Sequence, residues 1–468
     1  MSGKLSWAVI GLAATTVLSG CEIPENPLSS FADQISGQKQ TVEAPAEVLD
    51  VQSLLKPSTT ERVNTALGFP KAVAEAVRID PLARAARQAV LAGASSLDEL
   101  QAQLKPQISG RGYAGVDDLY DGDPGAAATL NLAQLIFDGG VLAGRISAAE
   151  FDKQSAYESY RRVLNERALE ATIAWIDLNR YQQLHTLITS RLEVLNPLIE
   201  QLEQVASAGI GDVTTVASAK RQVTMIRVSE TRVQEQYQQA REKFTRLFGE
   251  LPKSSSYNAG LILRAVPSSM PDSAVMNSPA VMQAYNRYHA ADARARSIEA
   301  RGSFSMSLEG AVTQPGDGNE ADRSASVGLV LRKDLYDGGA LEAQIEAARS
   351  DADAQKNQLE GAYRQVLEQA QNARQTITAT KASVILAREN AEIAREEIEL
   401  LRKQLSIGQS TLSSVLQAEA RLYDAEANEI NFSTSRIIAQ VTLLGVLGRL
   451  SDVIGLDAAK EVLGQAGE

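Results

Sequence analysis

Tyr336-Asp337-Gly338-Gly339 repeats Phe137-Asp138-Gly139-Gly140 at an offset of 199 residues, and this short step decides the fold. The match extends outward without a gap: Gly209 falls on Gly408, Val216 on Val415, and Phe248-Gly249 on Leu447-Gly448. In each half 70 residues separate the first glycine of the step from the next landmark, Gly139 to Gly209 and Gly338 to Gly408. Long intervals stay equal when they are structural rods, whereas loops around a catalytic centre drift. The duplication therefore points to a conduit or a scaffold.

Each step opens a long helical pattern. Gly140 to Ser207 would span about 100 Å at about 1.5 Å per residue. Its apolar and small positions, among them Leu142, Ile146, Ala149, Ala156, Tyr160 and Val163, follow a spacing near about 3.5 residues, the seam of a coiled coil. Leu341, Ile345, Ala348, Ala352 and Leu359 do the same in the second half. Each rod turns back at a glycine, Gly209-Ile210-Gly211 or Gly408-Gln409-Ser410. Return helices then run to about Leu247 and Val446, with Asp212 and Ser410 or Thr411 placed to cap them.

Before each step the period is two. From Ser303 to Thr313, Phe304, Met306, Leu308, Gly310 and Val312 share one face; Ser303, Ser305, Ser307, Glu309 and Thr313 share the other. Ala325 to Arg332 alternates likewise after a polar turn at Gln314–Glu320. The first half repeats this more weakly at Gln107–Leu119 and Ala127–Phe137, around a turn at 121–125. Upstream, helical stretches are predicted at Asn64–Lys105, interrupted near Pro81 and Gly93, and at about Asp272–Arg301.

The N-terminus carries Lys4, an apolar run from Trp7 to Leu18, and Leu18-Ser19-Gly20-Cys21. That is a secretory signal, too short to span a bilayer, and its end resembles the bacterial lipobox, whose cysteine is acylated. Glu22 resembles lipoproteins sent on to the outer membrane of a Gram-negative cell. The expected division is a signal peptide at 1–20, a lipidated tether at 21–62 with four prolines, repeats at 63–261 and 262–450, and a tail at 451–468. Net charge is −12 without a basic block, so nucleic acid is not an expected partner. Two distant histidines and a single cysteine leave no imidazole or thiolate metal site, and no cofactor is expected.

Four half-apolar strands cannot close a barrel, and open edges in lipid leave backbone groups unsatisfied at several kcal/mol each. Other chains must complete the wall. The duplicated strand pairs, the aromatic-Asp-Gly-Gly steps and the glycine returns followed by 212–219 and 411–418 together resemble the TolC-like outer-membrane efflux protein family, over about residues 64 to 450. The resemblance implies a mainly α fold with a small β part. Three copies would form a 12-stranded β-barrel in the outer membrane, continuing into an α-helical periplasmic barrel. It implies a passive homotrimeric exit duct of a tripartite export system, for type I protein secretion or small-molecule efflux. A periplasmic adaptor protein and an inner-membrane transporter would open it at the glycine tips.

The implied tip and gate residues are Gly209, Gly211, Asp212, Gly408, Ser414 and Gln417. Relatives often carry aspartates where Ser414 and Gln417 stand, so closure is expected to rest on Asp212 with polar neighbours including Arg402 and Lys403. Asp138 and Asp337 are placed to cap the rods, and Phe137 and Tyr336 fit an aromatic belt. Pro197 favours a bend in the first rod. Gly110-Arg111-Gly112-Tyr113-Ala114-Gly115 has dinucleotide-binding spacing but lies in an alternating strand with no helix after it. Asp121-Gly122-Asp123 and 317–320 read as solvated turns rather than calcium sites. No nucleophile elbow, phosphate loop or convergent acid–base set is present, so an enzyme is not expected. The competing reading is a pore-less periplasmic coiled-coil scaffold lipoprotein.

Overall fold

The computed structural model describes residues 62–116, 124–208, 213–267, 269, 271–315 and 323–463. Cys21, the turns at 121–123 and 316–322, and the first helix return at 209–212 lie outside the described residues. Among the described residues about three-quarters are helical, with one small antiparallel sheet.

The sheet runs in the order β1-β2-β3-β4: β1 Gln107–Val116, β2 Pro124–Phe137, β3 Ser305–Pro315 and β4 Ser324–Arg332. Thr129 and Thr313 join β2 to β3 through their hydroxyls at 3.1 Å. The outer lengths of these strands, 108–132 and 309–328, form one compact unit, and the helices belong to another. β1 and β4 each keep one unpaired edge, and on β4 Val327 is 77% exposed in the single chain.

In the helical unit α1 (Lys71–Ile79) and α2 (Pro81–Ala102) break at Asp80, whose carboxylate accepts from the Leu82 and Ala83 amides, with Pro81 at the first helical position. The break expected at Gly93 does not occur, since α2 runs through it. A Cβ there would sit 3.4 Å from Lys153 Cα, so this glycine serves a close helix approach. The rods are α3 (Val141–Ser207) and α4 (Val213–Phe248), then α8 (Ala340–Ser406) and α9 (Leu412–Val446). Between them come α5 (Ala259–Ala265), α6 (Asp272–Met276) and α7 (Pro279–Ala300). α3 stays continuous through Pro197.

An aromatic cluster forms around the middle of α3. Trp175, Phe244 and Phe248 are fully buried, with ring centroids 5.2 Å (Trp175–Phe244) and 4.2 Å (Phe244–Phe248) apart, and Phe69 closes on Trp175 from α1's side. The indole N–H donates to the Ser255 carbonyl at 3.0 Å. Much of the segment expected as a tail is folded. α10 (Leu450–Val453) and α11 (Ala458–Leu463) follow α9, and Leu450, Ile454 and Leu456 are buried in the same core. Buried Asn165 holds this segment: its Oδ1 accepts from the Leu450 and Ser451 amides at 2.9 and 3.1 Å, and its Nδ2 donates to Arg161 O and Ser451 Oγ. Every polar atom of that amide is satisfied, which is the condition for burying it.

Phe244→Ala should destabilise the helical unit by about 3–5 kcal/mol. Trp175 fluorescence during denaturant unfolding measures it, and an unchanged midpoint would remove the mid-rod cluster as the core.

Candidate functional site at the strand-to-helix steps and helix tips

The two steps are built alike. Asp138 Oδ1 accepts from the Gly140 amide at 2.9 Å and its Oδ2 from the Leu142 amide at 2.6 Å. Asp337 accepts from Gly339 at 3.0 Å and Leu341 at 2.8 Å. One carboxylate thus holds the tight turn with one oxygen and caps a helix N-terminus with the other. All four glycines have positive φ, from 70° to 99°, a region closed to most side chains. Gly139 is also hemmed in: an added Cβ would lie 2.4 Å from the Ser303 Cβ. Gly338 faces open space in the single chain. Phe137 lies tilted against Phe304 with centroids 5.0 Å apart, whereas Tyr336 is 92% exposed.

At the second tip Gly408 has φ +73°, its amide donates to Leu405 O, and the Gln409 amide donates to Gln404 O. These bonds satisfy carbonyls at the end of α8. Thr411 caps α9 by accepting from the Ser414 amide, and its hydroxyl meets that of Ser414 at 2.8 Å. Ser414 is therefore engaged in capping, while Gln417 is exposed. Gly209, Gly211 and Asp212 lie outside the described residues.

A little above the second tip stands a charge network that sequence reasoning did not pick out. Glu419 on α9 is fully buried between Arg191 of α3 and Arg402 of α8. Arg191 also reaches Glu426 at 2.8 Å; Arg395 joins Glu426 at 3.0 Å and Glu429 at 3.7 Å; Arg388 meets Glu429 at 3.2 Å. The result is an alternating string of four arginines and three glutamates across three helices, in which Arg191 is the member from the first half. Arg402, expected beside Asp212 at the closure, is tied to Glu419 instead. The signal was present in the spacing: Arg388, Arg395 and Arg402 recur every seven residues, as do Glu419 and Glu426. Nearby, burial pushes the Tyr423 hydroxyl above its ordinary pKa, helped by Asp424 and opposed by Arg232. Burial also raises Asp424.

Among the described residues no group of three or more His, Cys, Asp or Glu side chains could hold a metal ion. Nor is any helix there long and apolar enough to cross a membrane, a statement that does not bear on strands.

Comparison with known proteins gives a consistent answer. The family described as "Outer membrane efflux protein" matches residues 73–250 and 270–449. The outer membrane efflux protein BepC of Brucella suis biovar 1 (strain 1330) is 22% identical over 341 residues, covering 71% of this chain and 74% of BepC. The outer membrane protein TolC of Salmonella enteritidis is 21% identical over 384 residues, covering 76% and 77%. Among solved structures, CusC, described with its transmembrane channel formation, superimposes with a TM-score of 0.71 at 15% identity, over 81% of this chain and 91% of CusC.

Arg191→Met would leave Glu419 buried with one partner fewer. It should cost about 3–5 kcal/mol in denaturant unfolding, against about 0–1 kcal/mol for Arg388→Ala at the exposed end of the string. Equal costs would show that burial of Glu419 is not what the network depends on.

Proposed function

The chain belongs to the outer membrane efflux protein family, and from that premise we propose that it is the outer-membrane exit duct of a tripartite, envelope-spanning export system. Its seat is the outer membrane, and it is a channel protein rather than an enzyme. Three copies would pool four strands each into one barrel and their rods into one periplasmic tube. The duct makes and breaks no covalent bond. A periplasmic adaptor and an inner-membrane transporter would engage the tips at Gly209 and Gly408, and the transporter would supply the energy. Cys21 would carry lipid and hold the tether, 21–62, at the membrane.

The observation that carries this reading is a four-stranded sheet with two unpaired edges and bare apolar side chains. In a bilayer such edges demand partners. A pore-less scaffold would need no such strands. Small-molecule efflux and protein secretion place the same demand on a passive duct, so cargo is read from the cell. Removing the chain should raise susceptibility to toxic compounds if it exports small molecules, and empty the medium of a secreted protein if it exports polypeptide.

The gate reading takes Asp212 as the acid that narrows the first tip. Three copies would place three carboxylates around the opening, so Asp212→Ala should raise resting conductance in planar bilayers and weaken block by divalent cations. Unchanged conductance and unchanged block would refute the role of Asp212. Separately, Cys21→Ser should abolish incorporation of labelled fatty acid into the mature protein; retained label would refute lipidation at Cys21.

A further inference from the structure

Midway along the first rod the chain keeps a polar hollow that its duplication does not require. Asn179, Gln182, Gln183, Thr186, Leu187 and Ser190 of α3 form one wall. Lys253 and the serines at 254–256, in the link between α4 and α5, form the other. The hollow encloses about 600 Å³, a size usual for small-ligand sites, which are for the most part apolar. Here, among the described residues, Leu187 is the one apolar side chain in the lining, and no carboxylate takes part although the chain carries 58 acids.

The second half serves as an internal control. At the 199-residue offset Gln182, Gln183, Thr186 and Ser190 become Lys381, Ala382, Ile385 and Glu389, while Lys253 and Ser255 become Asp452 and Ile454. Ile454 is buried in the core. The repeat thus accepts apolar side chains and the opposite charge at these places, so its architecture does not impose the polar set of the first half. That set is also held in position. The Trp175 indole fixes the Ser255 carbonyl at 3.0 Å, and Ser255 is only 7% exposed. The Ser255 hydroxyl accepts from Asn179 Nδ2 at 3.2 Å and donates to Gln182 Oε1 at 2.6 Å; Gln183 Nε2 donates to Asn179 Oδ1 at 2.6 Å. These bonds leave Gln182 Nε2, Gln183 Oε1, the Ser190 hydroxyl and the Lys253 ammonium without partners among the described residues. Free donors and acceptors stand together beside one cation, on side chains placed before a ligand arrives.

A ligand for such walls has many hydroxyl or amide groups, one apolar face and little negative charge. A phosphate-rich ligand fits poorly, since the lining offers no arginine fork. We propose that the hollow is a glycan site for an acetamido pyranose bearing a carboxylate, the repeating chemistry of a bacterial cell-wall strand. The amides of Gln182 and Gln183 pair with the acetamido group and ring hydroxyls, Leu187 lies under the apolar ring face, and Lys253 meets the carboxylate. This rests on the envelope-spanning duct reading. The hollow stands about 60 Å from Gly140 along α3, where a rod leaving the outer membrane runs through the periplasm and its cell wall. One site per chain would fasten the tube to the mesh it crosses.

The test is isothermal titration calorimetry on the full-length protein in detergent. The probe is the peptide-free tetrasaccharide of alternating N-acetylglucosamine and N-acetylmuramic acid. Saturable binding at one site per chain is expected. It should weaken roughly tenfold for tetra-N-acetylchitotetraose, which lacks the acid, and vanish for maltotetraose, which lacks the acetamido groups as well. Gln182→Ala/Gln183→Ala should lower affinity for the probe about tenfold. Lys253→Ala should abolish the preference for the acidic over the neutral acetamido tetrasaccharide, and Lys381→Ala, at the counterpart of Gln182, should change nothing. All four side chains are exposed, and an unchanged midpoint of Trp175 fluorescence shows that each variant is folded. No binding of the probe, or binding that the Gln182/Gln183 variant leaves intact, would overturn the site. Failure of the duct reading shows separately, as absent conductance in planar bilayers from the same preparation.

Discussion

Backbone hydrogen bonding in a medium without water governs this molecule. A strand edge facing lipid leaves N–H and C=O groups unpaired at several kcal/mol each, so a sheet in a bilayer must close on itself. Four strands are too few to do so. β1 and β4 end the sheet with open edges, and on β4 Val327, Leu329 and Leu331 are exposed in the single chain. An incomplete wall is stable only as part of a larger one. The duplication then has a physical sense: a wall assembled from equivalent pieces needs pieces of equal length, which explains the two rods of 67 residues each.

The passage from strand to rod is the most demanding point in the chain, and it is solved twice with the same residues. Each step needs two consecutive left-handed residues and a group to satisfy amides that begin a very long helix. Gly139-Gly140 and Gly338-Gly339 supply the first; Asp138 and Asp337 supply the second, each carboxylate serving the turn and the helix together. Along the rods alanine dominates the seam of α8, at 352, 370, 373, 387, 391 and 394, which lets helices approach closely without large side chains to interleave. Bulk is kept for mid-rod, where Trp175, Phe244, Phe248 and Phe69 make a core.

Strands, rods, the second return and the steps were legible because each rests on a local rule: a period of two, a period near 3.5, a glycine with positive φ, an acid before a helix. What escaped reading depends on residues distant in sequence. Gly93 looked like a breaker, but Lys153, 60 residues later, explains it. The segment after 450 looked like a tail because its anchor is Asn165, a single polar residue on the opposite half. Arg402 looked available at the tip, yet its guanidinium pairs with Glu419 of the next helix, and no local pattern reveals that this glutamate is fully buried.

That network also limits how far the duplication reaches. Arg191 corresponds to Asn390, Glu419 to Lys220 and Glu426 to Arg227. The intrachain seam therefore carries a buried carboxylate, Glu419, between arginines, while the equivalent positions Asn390, Lys220 and Arg227 carry an amide and two cations, which cannot reproduce the knot. Buried ion pairs add little net stability but lose several kcal/mol when one partner is removed. The seam within a chain should thus behave as an all-or-none contact near the tips.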